Sequence, residues 1–302
     1  MTRWLVTGAT GMLGRDVVAA LRAAGEGART TALGRDGLDI TDAARVREAV
    51  AGHDVVVNTA AWTDVDGAEA DEEAAAAVNG TGVRHLAAAC ARHGARLLHV
   101  STDYVFPGAG TTPWAEDAAP APENAYGRTK LAGERAVREL LPAHGYTVRT
   151  AWLYGAHGAN FVATVLRLAS EREVLEVVDD QTGQPTWTGA LAPRLVALGR
   201  SAAAGSAPPG VYHGTASGSA TWYELARHAF RRAGLDPARV RPVGSDRYPR
   251  PAPRPSWSVL GHEGWARAGM APLAPWPTML ERAFAEGVFA DRARDSGGLP
   301  RP

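Results

Sequence analysis

Tyr126 and Lys130 lie four residues apart in the run Tyr126-Gly127-Arg128-Thr129-Lys130, so on a helix they share one face. A free phenol titrates at about pH 10 and is a poor proton donor or acceptor at neutral pH. A neighbouring ammonium favours the phenolate and is expected to lower that value. Such a pair can pass a proton to or from a carbonyl or alcohol oxygen while a hydride moves at the adjacent carbon. Upstream, Thr102 stands in the run Ser101-Thr102-Asp103-Tyr104-Val105-Phe106. Its hydroxyl can either donate to the same oxygen or cap a turn. Near the start, Gly8, Gly11 and Gly14 are spaced G-x-x-G-x-x-G. Glycines in such a loop let backbone approach a pyrophosphate, and a helix that follows turns its amide groups toward the anion.

These residues need elements to hold them. Trp4 to Thr7 reads as a short apolar strand leading into the glycine loop, and Val17, Val18 and Leu21 recur at helical spacing until Gly25. Thr30 to Leu33 and Val55 to Val57 read as strands, with a helix from Ala43 to Ala51 behind an Asp42 cap. An Ala-rich, largely helical stretch runs from Glu69 to His93, and Leu97 to Val100 is the next strand. Strand–helix alternation with continuous apolar strands predicts a doubly wound parallel sheet covered on both faces. Thr102 then stands just past the carboxyl end of a strand, where ligands bind in such sheets.

Pro107 to Pro122 reads as a loop, Tyr126 to Leu141 as a helix ended by Pro142, Thr147 to Leu153 as a strand and Phe161 to Ser170 as a helix. Organisation weakens after Gln181. Ser201 to Pro209 reads as a flexible link, Ser245 to Pro255 as a proline-rich loop and Asp291 to Pro302 as a frayed tail.

At the end of the second strand stand Gly34 and Arg35, where a carboxylate would hold the adenosine ribose of NAD. An arginine there can instead pair with a 2′-phosphate, or be a plain surface charge. Asp39-Ile40 either borders the adenine or opens the next helix.

With 302 residues, 32 Lys+Arg against 32 Asp+Glu and no basic excess, the composition disfavours a nucleic-acid binder. The single cysteine, Cys90, excludes an internal disulfide framework. The nine histidines are scattered, and Cys90 with His93 alone makes no metal site. No apolar stretch is long enough to span a bilayer and the first residues do not form a signal peptide, so the expected location is cytoplasmic.

The order of these signals carries a resemblance. Glycine loop, hydroxyl after a later strand, then Tyr-x-x-x-Lys opening a helix is the pattern of extended short-chain dehydrogenase/reductases. Within them the chain resembles the dTDP-4-dehydrorhamnose reductases from Trp4 to about Glu286. The signatures are Ser101-Thr102-Asp103-Tyr104-Val105-Phe106-Pro107-Gly108, Ala125-Tyr126-Gly127-Arg128-Thr129-Lys130-Leu131-Ala132-Gly133-Glu134, Arg149-Thr150-Ala151-Trp152-Leu153-Tyr154 and Asp179-Asp180-Gln181-Thr182-Gly183-Gln184-Pro185-Thr186. Tyr104 stands where dehydratase relatives usually carry glutamate, which favours a simple reductase. The late loop departs from the family: Ser256-Trp257 follows Arg254-Pro255 where members often have Asn-Ser.

The resemblance implies a Rossmann-like fold with a dinucleotide-binding region over 1–154, a returning segment near 175–199 and a smaller substrate lobe over 155–302. It implies Gly11, Met12 and Leu13 at the pyrophosphate, Asp39-Ile40 at the adenine, and Ala61, Trp62 and Thr63 along the cofactor. Tyr126 would be the acid, Lys130 would hold the nicotinamide ribose and Thr102 would polarise the carbonyl. Thr102, Asp103 and Trp152 would contact the sugar, with Asn160, Phe161 and Arg254 toward the nucleotide. The implied reaction is NADPH-dependent reduction of a dTDP-4-keto-6-deoxy-L-hexose, with NADH admitted as a cofactor. The same scaffold serves a dihydrostreptose-type aldehyde reduction, and a non-catalytic methionine adenosyltransferase regulatory subunit shares it. A homodimer is expected on base rate alone.

Overall fold

The computed structural model describes residues 2–290; the expected fraying of Asp291 to Pro302 lies outside the described residues. β1 (Trp4–Thr7) leads into α1 (Met12–Ala23), β2 (Thr30–Leu33) into α2 (Ala43–Val50), and β3 (Val55–Asn58) into α3 (Val65–Ala70) and α4 (Glu72–Ala76). A π-helical segment, Ala77–Gly82, joins α4 to α5 (Val83–His93). β4 (Arg96–Thr102), α6 (Ala125–Leu140) and β5 (Gly145–Thr150) follow. Then come β6 (Leu153–Tyr154), α7 (Phe161–Glu171), β7 (Leu175–Val178), β8 (Thr182–Gly183), β9 (Thr186–Trp187) and α8 (Thr188–Ala203). The described chain closes with β10 (Gly210–His213), β11 (Ala220–Thr221), α9 (Trp222–Arg232), β12 (Val240–Val243), α10 (Gly264–Arg267) and α11 (Trp276–Ala285).

The main sheet is parallel, in the order β10-β5-β4-β3-β1-β2. Its fully buried strands alternate between two cores. Leu5, Val56 and Leu97 lie in register and pack with Val46, Val50, Val83 and Leu86 of α2 and α5. Trp4, Val6, Val57 and Leu98 face the other way, onto α1 and α8 through Val17, Leu21, Leu191 and Leu195. A strand buried on both faces reads as an unbroken apolar run, as β1 and β3 do, whereas the edge strand β2 is partly exposed. Cys90, on the inner face of α5, is buried in the first of these cores. Strand order reverses at β1, so the loops after β1 and β3 diverge there and open a ligand crevice at the strands' carboxyl ends.

The segment 175–199, expected to return to the first lobe, divides in the structure between β7 and α8. Leu175–Val178 does not return to the main sheet; it pairs in parallel with β12, and the two pack with α7 and α9 around Val165, Val177, Phe230 and Val240. The segment that does return is α8, which lies against α1, and it is followed by β10, which adds the sixth strand beside β5. α8 holds Pro193 inside it, so proline and glycine obscured a helix that burial of Leu191, Leu195 and Leu198 enforces. Ser201–Ala203 belongs to α8 rather than to a link. The strand expected to run to Leu153 stops at Thr150, because Trp152 takes φ 45°, which no extended strand admits. No helix among the described residues is long and apolar enough to cross a membrane.

Candidate active site

Two loops meet at the switch point. Gly8 has φ 68°, and a Cβ on it would sit 2.5 Å from the Ala60 nitrogen, so only glycine lets the loops after β1 and β3 touch. A Cβ on Gly14 would sit 2.3 Å from the Gly8 oxygen, so Gly14 seats α1 against the loop. Gly11 is different. Only the Gly8 oxygen, at 3.3 Å, lies near its Cβ position, so its outer side is open. Gly11 is also the N-cap of α1, no side chain caps that end, and no acid lies in its first turn. The amide end of α1 therefore faces an open cradle that a pyrophosphate fits. Leu13 is buried in the core, whereas Met12 is half-buried beside Gly155 and Gly158.

Ala61, Trp62 and Thr63 continue the loop after β3 that touches Gly8 at Ala60. Asn79, on the π-helical segment, fixes it: the Trp62 amide donates to Asn79 Oδ1 at 2.9 Å, and Asn79 Nδ2 donates to the Trp62 oxygen and to Thr129 Oγ1, each at 3.1 Å. Trp62 Nε1 donates to the Asp64 oxygen at 2.8 Å. Below them Asn58 joins three strands. It accepts from Thr7 Oγ1 at 2.6 Å and pairs with His99 Nδ1 at 3.0 Å. Asp39 accepts from the Thr41 amide and hydroxyl at 2.9 and 2.8 Å, and these bonds, with Arg35 and Arg45 nearby, lower its pKa. Ile40 is buried under α5, its oxygen facing His85 Nδ1 at 3.2 Å. Arg35 is exposed and makes no hydrogen bond or ion pair with the described residues.

α6 brings Tyr126 and Lys130 to the end of β4. Asn124 caps it, accepting from the Gly127 amide at 2.8 Å, and Glu69 of α3 accepts from the Ala125 amide at 2.7 Å. A Cβ on Gly127 would lie 2.2 Å from the Tyr104 oxygen, so glycine is what lets the helix come this close to the turn after β4. Lys130 is 2% exposed, and its Nζ donates to the Val100 oxygen at 2.7 Å. Burial drops its pKa to about 8, while Glu134 one turn on holds it up. Tyr126 is half-buried and edge-on to Tyr104, ring centroids 5.8 Å apart.

The expected lowering of the Tyr126 pKa does not occur. Burial outweighs all else and pushes the phenol up to about 12, with hydrogen bonding to Thr102 pulling it down and the Asp103 charge pushing it up. One N–H of the Lys130 ammonium is committed to the Val100 oxygen, which leaves two for other partners. Tyr126 is thus held as a neutral phenol at neutral pH, the form that donates a proton. Thr102 Oγ1 donates to Asp103 Oδ1 at 3.0 Å and accepts from the Tyr104 amide at 3.2 Å. Asp103 is buried, and desolvation raises its carboxyl to about 6 despite hydrogen bonding to Ser258 and Thr102.

Trp152 has a strained backbone, and its indole stacks on Trp222 with centroids 3.5 Å apart and planes 7° from parallel. Trp222 in turn lies 4.6 Å from the Phe161 ring. Beyond them opens a cavity of about 490 Å³ that Tyr104, Phe161, Leu168, Trp222, Arg250 and Arg254 help to line. Asn160 does not reach it. Its Oδ1 caps α7, accepting from the Ala163 amide at 2.9 Å, and its Nδ2 ties the preceding loop, donating to the Gly155 oxygen at 3.0 Å, so both ends of the amide are spent. Asn79, Glu69 and Trp222 escaped the sequence reading. Only Trp222 had a local signal, the Thr221–Glu224 capping box that opens α9.

The family model for the RmlD substrate binding domain matches residues 2–288. A dTDP-4-dehydrorhamnose reductase of Streptomyces griseus is 57% identical over 93% of this chain and 93% of its own. A dTDP-4-keto-6-deoxy-D-glucose reductase of Streptomyces niveus is 55% identical over 93% of this chain and 96% of its own. Among solved structures, the dTDP-4-dehydrorhamnose reductase of Bacillus anthracis in complex with NADP superposes with a TM-score of 0.89 at 36% identity, covering 94% of this chain and 99% of that one. The family model and these relatives cover nearly the whole described chain, and on that ground the chain belongs to the dTDP-4-dehydrorhamnose reductase family.

Proposed function

We propose that this protein reduces the keto group of a dTDP-4-keto-6-deoxyhexose to an alcohol with NADPH. The observation that carries the reading is the placing of Tyr126: its phenol meets Thr102 at the end of β4, one helical turn from the buried Lys130 ammonium. When bound, the reduced nicotinamide supplies the hydride to the carbonyl carbon. Tyr126 gives its proton to the carbonyl oxygen, and Thr102 polarises that oxygen by hydrogen bonding. The phenolate left behind is stabilised by the Lys130 charge, and is reprotonated from solvent, so one proton is consumed per turnover. Lys130 also holds the nicotinamide ribose.

The remaining roles follow the cavity. Arg254 takes the diphosphate of the sugar nucleotide, because a guanidinium fork bonds two oxygens. Phe161 presents a flat apolar surface to the nucleotide end, and Trp152 borders the sugar. Arg35, exposed and with no hydrogen bond to the nearby Asp39, meets the 2′-phosphate and favours NADPH over NADH.

The test is loss of NADPH absorbance with a panel of dTDP-4-keto-6-deoxy sugars and a dTDP-sugar carrying a branched formyl group. Turnover is expected with a 4-keto sugar. Turnover only of the formyl sugar moves the reading to a dihydrostreptose-type reductase. Cofactor binding without any turnover indicates a regulatory subunit instead.

A further inference from the structure

The short helix α3 begins directly after the cofactor wall Ala61-Trp62-Thr63 and carries two carboxylates with different tasks. Glu69 holds the first amide of α6, the helix of Tyr126 and Lys130. Asp66 holds the proline-rich loop of the second lobe. Its Oδ2 lies 2.9 Å from Arg254 Nη2 and 3.8 Å from Arg250 Nη1, and its Oδ1 accepts from the Ala252 amide at 3.2 Å. Both oxygens of one side chain are thus committed to residues 250–254. Arg254 is further set by its own bond from Nη1 to the Ala252 oxygen, at 2.9 Å. The other side of the loop is tied to the N-cap of α6, Asn124 Nδ2 donating to the Pro253 oxygen at 3.0 Å.

That loop has no helix or strand of its own between Tyr248 and Pro255, so burial of Ala252 and these side-chain tethers place its arginines at the cavity. The tether at Asp66 runs back to the cofactor wall. Asp64 caps α3, accepting from the Gly67 amide at 2.9 Å, and its carbonyl oxygen holds the Trp62 indole.

We infer that Asp66 is a positioning residue that couples the two ligands: a cofactor seated on the Trp62 wall fixes α3, and α3 through Asp66 fixes Arg254 and Arg250 for the diphosphate of the sugar nucleotide. This rests on the reductase reading above. A carboxylate beside an anion site opposes the anion by charge alone. Its net effect is favourable here because it removes the freedom of two long side chains that would otherwise have to be ordered on binding. Binding is then ordered, cofactor first.

The experiment titrates dTDP by calorimetry into the full chain, with and without saturating NADP+, in wild type, Asp66→Asn and Asp66→Glu. In wild type NADP+ tightens dTDP about tenfold, within the usual range of coupling between sites. Asp66→Asn binds NADP+ normally but loses the enhancement, and Asp66→Glu restores part of it. In turnover, Asp66→Asn raises KM for the sugar nucleotide about as much as the lost coupling, and kcat at saturation changes far less. Asp66→Asn adds no further loss to Arg254→Ala. Normal or tighter dTDP binding in Asp66→Asn overturns the coupling while wild-type turnover leaves the reductase reading standing. Failure of wild type to bind dTDP or turn over removes both.

Discussion

Lys130 Nζ is hydrogen-bonded to the carbonyl oxygen of Val100 at 2.7 Å, two residues before Thr102 on the same strand. The ammonium is therefore anchored to β4 from beneath the site, and α6 and β4 cannot shift relative to one another without breaking a charged bond. Because burial drops the Lys130 pKa from 10.5 to about 8, the charge is lost in the folded protein well before it is lost in the unfolded chain.

Activity and stability should consequently diverge in alkali. Turnover falls as pH rises through about 8, since the ammonium is neutralised. Between about 8 and 10.5 the unfolded state binds more protons at this residue than the folded state does, so the Lys130 contribution to stability rises with pH. Paired pH profiles of kcat/KM and of the urea midpoint, each compared with Lys130→Met, check this. The variant has little activity and lacks this rise in midpoint.

Tyr126→Phe keeps the ring, and so keeps the edge contact with Tyr104, but removes the proton. NADPH binding by fluorescence titration stays near wild type. Turnover drops by about a hundred- to ten-thousand-fold, the usual worth of a general acid. A variant within a few-fold of wild type would remove Tyr126 from the reaction.

Arg35 forms no ion pair with Asp36, its neighbour in sequence, so it is available to a phosphate. A charge-assisted hydrogen bond contributes about 1.5–3 kcal/mol, or roughly ten- to a hundred-fold in affinity. The expected outcome is that wild type prefers NADPH in kcat/KM, and that Arg35→Ala loses most of that preference by weakening NADPH use without harming NADH use. An exposed arginine is screened by ions, so the preference shrinks in high salt.

Arg149 grips Glu134 with both arms of its fork, Nε and Nη2 donating at 2.9 and 2.8 Å, inside the protein. Its guanidinium also lies 4.8 Å from the centre of the Phe106 ring, and Nη1 donates to the Glu116 oxygen at 3.3 Å. The pair locks α6 to β5 and to the loop after β4. Glu134→Ala strands a buried charge and should cost about 3–5 kcal/mol in urea unfolding. Glu134→Leu combined with Arg149→Met recovers most of that loss, because two apolar groups need no partners.

Local pattern located most of the first half of the chain. The apolar runs at β1, β3 and β4 and the Asp42 cap of α2 are signals a short window contains. Tyr126 and Lys130 were legible for the same reason, since helical spacing alone puts them on one face. The second half was not. α8 hides behind Gly189 and Pro193, and β10 is four residues long with one glycine, so each exists only because the sheet and α1 offer apolar surface to bury against. The protonation state of Tyr126 was likewise beyond the sequence, because the spacing shows an ammonium nearby but not that Val100 holds it and burial dominates. The tethers at Asn79 and Asp66 carry no local signature at all: Asp66 meets the Ala252 amide across 186 residues. A hydrogen bond between such distant positions depends on where both segments are packed, and only the folded chain decides that.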